Sequence, residues 1–487
     1  MRVAFPHPML SGLVVGPVVG ALLLWLWPER WVRPVALVTV LGLLGWTGAL
    51  LTRFDVHHAG WQMVQVLPWL DSLGLSYRLA VDGLSMPLLA LNSLILTLAV
   101  ASHHPVVRPR LYYTLLLLAG AAVAGAFVAQ NLLLFFLFYE LELLPLYLLI
   151  AIWGGPRRDY AALKFLVYTA ISGLLLLAAF FGLVVLSGAG SFDYEVVAAH
   201  RLGLTAQVGL LVLLLLGLGI KIPLVPLHTW LPDAHVEAST EVSMLLAGVL
   251  LKLGTYGLVR FGVQLLPEGW RVLAPGLAVW AVVSVLYGSL MAIGQQDMKR
   301  VVAFSSIGHM GYVLLAAAAA TPLSLVAAVA QMVSHGLIAA LLFFLVGVVY
   351  RVTGTRDLAK LQGLLTPERG LPVIGSLLIL AVMASSGIPG MVGFISEFMV
   401  FRGSFPVFPL PTVLAMLGTA LTSVYFLLLV NRAFFGRLPP ALADLPPVSW
   451  GQRLPAMVLA TLVLTLGLQP HWLVRWSEAT VTHWRLG

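Results

Sequence analysis

The sequence predicts an all-α polytopic membrane protein of about fourteen transmembrane helices. Three observations carry this. Of 487 residues, 60% are hydrophobic and only 9% are Asp, Glu, Lys or Arg, against roughly 25% charged in an ordinary soluble domain. The apolar residues fall in runs of ~20, the length at which a helix spans a hydrocarbon core. Inside lipid every backbone polar group needs a partner within its own segment, so runs of this length form helices and not barrel strands. A soluble globule is excluded. With no cysteine, disulfides, thiolate-bound zinc, Cys-ligated iron-sulfur clusters and Cys-attached haem are excluded as well. The formal charge of +8 comes from Arg scattered through short loops, which is membrane loop bias and not a nucleic-acid surface.

In chain order the apolar stretches run over 9–27, 31–51, 83–101, 111–129, 131–152, 163–187, 206–233, 241–263, 272–293, 300–320, 324–350, 372–402, 409–435 and 454–472. The first lacks a small-residue cleavage pattern behind it and reads as a retained span. An even number of spans puts both termini on one side. The odd-numbered loops hold 16 Lys and Arg, among them Arg300, Arg356 and Arg369, while the even loops and tails hold nine. Excess positive charge faces the cytoplasm, so both ends are expected outside.

Two stretches are too long for a simple crossing and are broken near their middles. One, 206–233, contains Gly217, Gly219, Pro223 and Pro226; the other, 372–402, contains Gly387, Pro389 and Gly390. Proline removes a donor and frees the carbonyl four residues earlier, here at Gly219 and at Ser385. These are helices seven and twelve, the fourth members of two five-helix units over 111–263 and 272–435, with 1–110 and 436–487 flanking them. An odd number of helices per unit inverts the second copy, and inverted repeats with matched discontinuous helices mark ion-carrying membrane proteins.

The costly residues are ionisable groups within the apolar runs: Glu140, Glu142, Lys221, Lys252 and Glu397. Each costs about 2.5–3.5 kcal/mol at a helix centre unless paired or hydrated, and the usual reason for keeping them is an ion pathway or proton relay. Static buried pairs that fix helix packing are the structural alternative. Glu140 and Glu142 are two residues apart, hence about 200° apart around a helix, so only one lines the interior; spacing does not choose between them. Lys221 lies two residues before Pro223, at the broken turn, and suits a carboxylate partner. Lys252 has no nearby acid and reads as a proton-holding site instead of half a salt bridge. His309 and His335, on helices ten and eleven, carry the side chain that exchanges protons near neutral pH. Glu397 supplies the last acid. His228, Asp233, His235 and Glu237, in the loop HTWLPDAHVEAST over 228–240, lack a recognised metal-ligand frame, and the plain reading is a turn with Ser239 or Thr240 capping the next helix.

The strings VDGLS at 81–85, FYELELLPLYLLIAIWG at 138–154, IKIPLVPLHTWLPDAH at 220–235, QQDMKRVVAFSSIGHMGYV at 295–313, QMVSHGLIAALLFFLVG at 331–347 and SSGIPGMVGFISEFMVFRGSF at 385–405 resemble the antiporter-like membrane subunits of respiratory complex I, over roughly residues 80–435. The resemblance is to the M-type branch, which Glu397 marks, since L-type, N-type and cation-antiporter relatives usually have Lys there. It maps the helix-five glutamate onto Glu140, five residues before Pro145, and the remaining relay onto Lys221, Lys252, His309, His335 and Glu397. It implies proton translocation coupled to electron transfer in other subunits. NADH, FMN, iron-sulfur clusters and quinone belong to those subunits, with none held by this chain. The implied partners are L-type and N-type neighbours, the lateral helix of the L-type subunit and the bilayer of a bacterial inner membrane. The chain departs from the family at Ser239 (commonly Pro), Glu241 (a small residue), Gly308 (Ser) and the additional acid Glu142. A sodium/proton antiporter subunit, a membrane-bound hydrogenase subunit and a non-pumping scaffold are the competing readings.

Overall fold

The computed structural model describes residues 9–102, 106–367 and 370–484, so Arg369 of the loop count lies outside the described residues. Among these, eleven helices are long and apolar enough to cross a membrane, and Met9–Leu23, Ser85–Ala101 and Pro372–Ser385 are shorter apolar helices. The elements in order are α1 (Met9–Leu23), α2 (Glu29–Arg53), β1 (Gln62–Leu70), β2 (Leu75–Val81), α3 (Ser85–Ala101), α4 (Pro109–Val128), α5 (Leu132–Leu141), α6 (Leu143–Trp153), α7 (Arg158–Ser187), α8 (Tyr194–Ala199), α9 (Leu204–Lys221), α10 (Trp230–Glu237), α11 (Thr240–Leu245), α12 (Leu251–Gly257), α13 (Pro267–Ile293), α14 (Met298–Ala319), α15 (Pro322–Thr353), α16 (Pro372–Ser385), α17 (Val392–Ser404), α18 (Pro409–Phe434), α19 (Trp450–Leu468) and α20 (His471–Thr482). The chain is mostly helical, as the composition requires.

Four local features differ from the sequence expectation. The segment between the second and third apolar stretches forms an antiparallel hairpin, β1 with β2, turned at Gly74 with φ 64°. Polar backbone of the hairpin meets loop partners: Gln130 N–H donates to Arg78 O at 2.8 Å, and the side chain of Asn131, the N-cap of α5, donates to Gly74 O at 3.0 Å. The supposed loop over 228–240 is mostly the helix α10, followed by Ser239 capping α11. The stretch 131–152 breaks into α5 and α6 at Glu142, because Pro145 cannot donate to Leu141 O. The stretch 241–263 carries π-helical turns at Leu246–Leu250 and Leu258–Val263, on either side of Lys252.

Both proline breaks separate two helices: α9 from α10, and α16 from α17. At the first, the Gly219 carbonyl freed by Pro223 accepts from Leu224 N–H at 2.8 Å, and Ile220 O accepts from the Trp230 indole at 2.8 Å. Polar backbone opened by the proline is therefore satisfied within the protein. At the second, Gly387 and Gly390 turn the chain at φ 69° and 90°, a region open to glycine.

Burial sorts the helices by position. The apolar windows of Thr240–Val263, α14 and α15 are wholly buried, whereas α2, α7, α18 and α19 bury well under half of theirs. The outer faces carry exposed Leu163, Ile171, Leu174 and Val185, apolar side chains suited to lipid or neighbouring subunits. Close approach at the centre depends on glycine: a β-carbon on Gly288 would lie 2.8 Å from Gly308 N, so α13 and α14 pack backbone to backbone. The approach is tight at Gly288 and not at Gly308, where a β-carbon would stand 3.4 Å from Ser289 Oγ and Val285 O.

Candidate functional site

The three buried helices at the centre carry Lys252, His309 and His335, and the two breaks bring Lys221 and Glu397 toward them. Lys252 Nζ lies 2.7 Å from His335 Nδ1 and donates to Ala247 O at 2.5 Å, inside the π-helical turn. Its partners are an imidazole and a carbonyl, with no carboxylate among them. An ammonium in that setting has a proton acceptor at hydrogen-bond distance and no counter-charge to hold the proton in place.

The His335 and His309 rings follow with centroids 5.6 Å apart, tilted by 41°. His309 Nδ1 lies 3.4 Å from Glu397 Oε1, and its Nε2 lies 3.0 Å from Ser385 Oγ. Thr419 donates to Glu397 Oε2 at 2.8 Å. A cavity of about 10 Å³, the size of a single water site, is lined by His309, Gln331, Ser334, His335, Ser385 and Glu397. His335 Nε2 has no protein partner among the described residues. The hydroxyl beside His309 comes from Ser385, at the end of α16, 76 positions away in the chain.

At the other end, Lys221 is the last residue of α9 and forms a fully buried ion pair with Glu142. The Tyr139 ring covers the ammonium at 4.5 Å to its centroid. Tyr139 is itself fixed, its hydroxyl 2.7 Å from Ser172 Oγ. Spacing leaves open which of the two acids meets Lys221, and the ion pair is with Glu142. The turn between α5 and α6 points Glu142 toward α9, while Glu140 lies partly exposed on another side, its carboxylate against Gly173 of α7. Lys221 and Lys252 lie on packed elements: a β-carbon on Gly254 would stand 3.2 Å from Lys221 Cβ. Lys252, His309, His335 and Glu397 are thus brought together, Lys221 lies on the element packed beside them, and Glu140 is set aside from the direct pair.

Other buried polar residues were missed by the sequence reading. Lys299, one of the 16 basic residues counted in the odd-numbered loops, is buried near the start of α14, where Nζ donates to Ala238 O at 2.7 Å, His235 O at 3.2 Å and Ser243 Oγ at 3.2 Å. Its position just inside a helix capped by Asp297 is the signal that would have found it. The acids of the 228–240 segment meet cations from elsewhere. Asp233 binds Lys164 and Arg300 at 2.8 and 2.9 Å, and Glu237 Oε2 accepts from Arg157 N–H at 2.9 Å. This segment has no Lys or Arg of its own, and its acids are met by cations from α7, the N-cap of α7 and α14. Among the described residues no group of three or more His, Cys, Asp and Glu side chains is placed to hold a metal ion. On the opposite end of the bundle Arg260 and Asp82 form a second buried pair, at 2.7 and 2.6 Å from Nη2 to the two carboxylate oxygens.

A helical membrane bundle with two broken helices and a central row of buried Lys, His and Glu defines the antiporter-like class of membrane subunits. Residues 129–422 match the family described as NADH:quinone oxidoreductase/Mrp antiporter, TM, and the chain belongs to it. It is 42% identical to NAD(P)H-quinone oxidoreductase chain 4 1 of Synechococcus elongatus over 98% of this chain and 91% of that protein. A chain of respiratory complex I from Thermus thermophilus with bound NADH is similar at a TM-score of 0.87, with 28% identity and 97% and 99% of the two chains covered. A chain of the Mrp complex from Dietzia sp. DQ12-45-1b shares the fold at a TM-score of 0.86, with 21% identity and 98% and 97% covered.

Proposed function

We propose that the chain conducts protons through a mid-membrane relay as the M-type, chain-4 subunit of a complex I. The chain is an antiporter-like membrane subunit of NADH:quinone oxidoreductase, a multi-pass protein of a respiratory complex, and its buried Lys, Glu and His residues fit a proton path. The observation that carries the relay is the sequence of short steps from Lys252 through His335 and His309 to Glu397.

In this mechanism Lys252 gives a proton to His335 Nδ1. His335 and His309 face one water-sized cavity, across which a bridging water passes the proton on, and Glu397 receives it from His309 Nδ1. Lys221 and its acid partner control whether Lys252 is charged, because a second cation nearby disfavours the ammonium form. Moving one charge against 100 mV takes about 2.3 kcal/mol, less than two pKa units' worth, so making or breaking one ion pair is a sufficient drive. Glu140, half-exposed beside α7, is placed to receive the signal from a neighbouring subunit.

Residues 111–263 and 272–435 are inverted five-helix repeats, flanked by 1–110 and 436–487. L-type and N-type subunits and the lateral helix of the former pack on the exposed apolar faces. NADH, FMN, iron-sulfur clusters and quinone are held by other subunits. The membrane is a bacterial inner membrane with both termini outward. Support for the sidedness is that Arg157, Lys164, Arg300 and Arg356 all converge on the α10 segment, a single basic end of the bundle. The deciding experiment is Lys252→Met in the intact complex in sealed vesicles. The relay requires a lower proton-to-electron ratio with electron transfer retained; an unchanged ratio leaves the chain a scaffold.

A further inference from the structure

One nitrogen in the row faces two unlike groups. His309 Nδ1 lies 3.4 Å from Glu397 Oε1, a proton acceptor, and 3.5 Å from Gln331 Nε2, a hydrogen-bond donor. Building on the proposed function, we infer that Gln331 is a positioning residue that acts as a one-way valve: its carbonyl helps hold the bridging water, and its amide N–H occupies His309 Nδ1 once the proton has left for Glu397.

The geometry supplies each part. Gln331 stands one turn before His335 on α15, is 2% exposed, and lines the water-sized cavity that both histidines share. Its Oε1, like His335 Nε2, has no protein partner among the described residues. A buried amide oxygen left unpaired costs stability that a methionine in the same place would not, so both atoms point to one shared water. That water accepts from His335 Nε2–H and donates to Gln331 Oε1. Its second hydrogen is left for Ser385 Oγ, which lines the same cavity and stands 3.0 Å from His309 Nε2. The two distances at His309 Nδ1 are both longer than a settled hydrogen bond, as suits a nitrogen shared between two partners. A small tilt of the ring chooses between them.

The balance moves one proton. His335 Nδ1 accepts from Lys252, so its hydrogen is on Nε2. From there the hydrogens run to the water, from the water to Ser385 Oγ, from Ser385 to His309 Nε2, and from His309 Nδ1 to Glu397. Each shifts to the next acceptor: Lys252 becomes a neutral amine, Glu397 a neutral acid, and both imidazoles change tautomer. His309 Nδ1 is then a bare lone pair beside the Glu397 acid, and without a competitor the same proton returns. The Gln331 N–H closes that route by donating to Nδ1, because an amide bonds there without giving up its hydrogen.

The test uses the intact complex in sealed membrane vesicles, reading the proton-to-electron ratio with the pH gradient collapsed and again against an imposed opposing gradient. Gln331→Met keeps length and packing and removes both hydrogen-bonding atoms. We expect its ratio to match wild type without load and to fall below it as the load rises, which a merely structural glutamine would not produce. Wild-type load dependence in this variant, whether the ratio is normal or lowered equally at every load, overturns the valve. Gln331→Glu puts an acceptor where the donor stood and should lower the ratio even without load; a wild-type ratio there overturns the valve as well, and decides the question should Gln331→Met not assemble. If Lys252→Met lowers the ratio while the Gln331 variants behave as wild type, the relay stands and only the valve fails. An unchanged ratio in Lys252→Met removes the relay and the valve with it.

Discussion

Lys252 Nζ and His335 Nδ1 stand 2.7 Å apart on two helices whose apolar windows are wholly buried, 83 positions apart in the chain. No carboxylate shares the contact, so in the proposed relay the pair hands a proton over and does not hold a charge. Lys252→Arg distinguishes these roles. Arginine keeps the charge but does not release its proton at any working pH. Dye-quenching measurements of vesicle acidification should therefore show Lys252→Arg as impaired as Lys252→Met. Wild-type acidification in the arginine variant would mean that the charge alone matters.

The far end of the row depends on Glu397, reached by His309 at 3.4 Å and held by Thr419 at 2.8 Å. Glu397→Gln preserves shape and the Thr419 hydrogen bond while removing the proton acceptor. Its expected signature is an assembled complex of normal thermal stability with a reduced proton-to-electron ratio. A ratio equal to wild type would end the row at His309.

Gly387 and Gly390 separate backbone strain from site geometry. Both have positive φ, at 69° and 90°, so alanine costs about 1–2 kcal/mol or more at each. A β-carbon at 387 would also stand 3.2 Å from Glu397 Oε2, whereas at 390 its nearest neighbour is Leu468 at 3.9 Å. Thermal unfolding of the complex should shift downward for both variants, and proton pumping should fall further in Gly387→Ala. Equal pumping in the two would show that strain at the break, not displacement of Glu397, is what counts.

The Arg260–Asp82 pair predicts a stability effect away from the relay. Arg260 also lies 4.4 Å from the Trp61 ring, and both charges are almost fully buried. Removing only the cation strands a buried carboxylate, so Arg260→Met should destabilise by about 3–5 kcal/mol. Arg260→Met with Asp82→Asn removes both charges and keeps the acceptor used by Leu84 and Ser85 N–H, so it should recover most of the loss. Denaturant titration of the purified complex measures this. Failure of the second substitution to recover stability would assign the loss to the aromatic contacts of the guanidinium.

Much of this was legible along the chain. Apolar run lengths predict the helices because lipid leaves a backbone no other way to satisfy itself, and Pro223 and Pro389 locate the breaks because a missing N–H is a local fact. Lys221, Lys252, His309, His335 and Glu397 stand out because ionisable groups in apolar runs are costly wherever they end up pointing. The hairpin at 62–81 was not visible, since its strands answer to Gln130 and Asn131 far along the chain. Lys299 looked like a loop charge until three acceptors from α10, α11 and their junction surrounded it.

What the sequence determined by itself was the membrane, the helices, the breaks and the set of costly side chains, all set by local composition and covalent geometry. What only the tertiary structure decided was who meets whom: Glu142 and not Glu140 on Lys221, Ser385 and not a neighbour's hydroxyl on His309, imidazole and not carboxylate on Lys252. Those choices turn on the direction of a side chain about a helix and on how closely glycine lets two helices approach. Both are properties of packing between segments, and a single strand of sequence does not contain them.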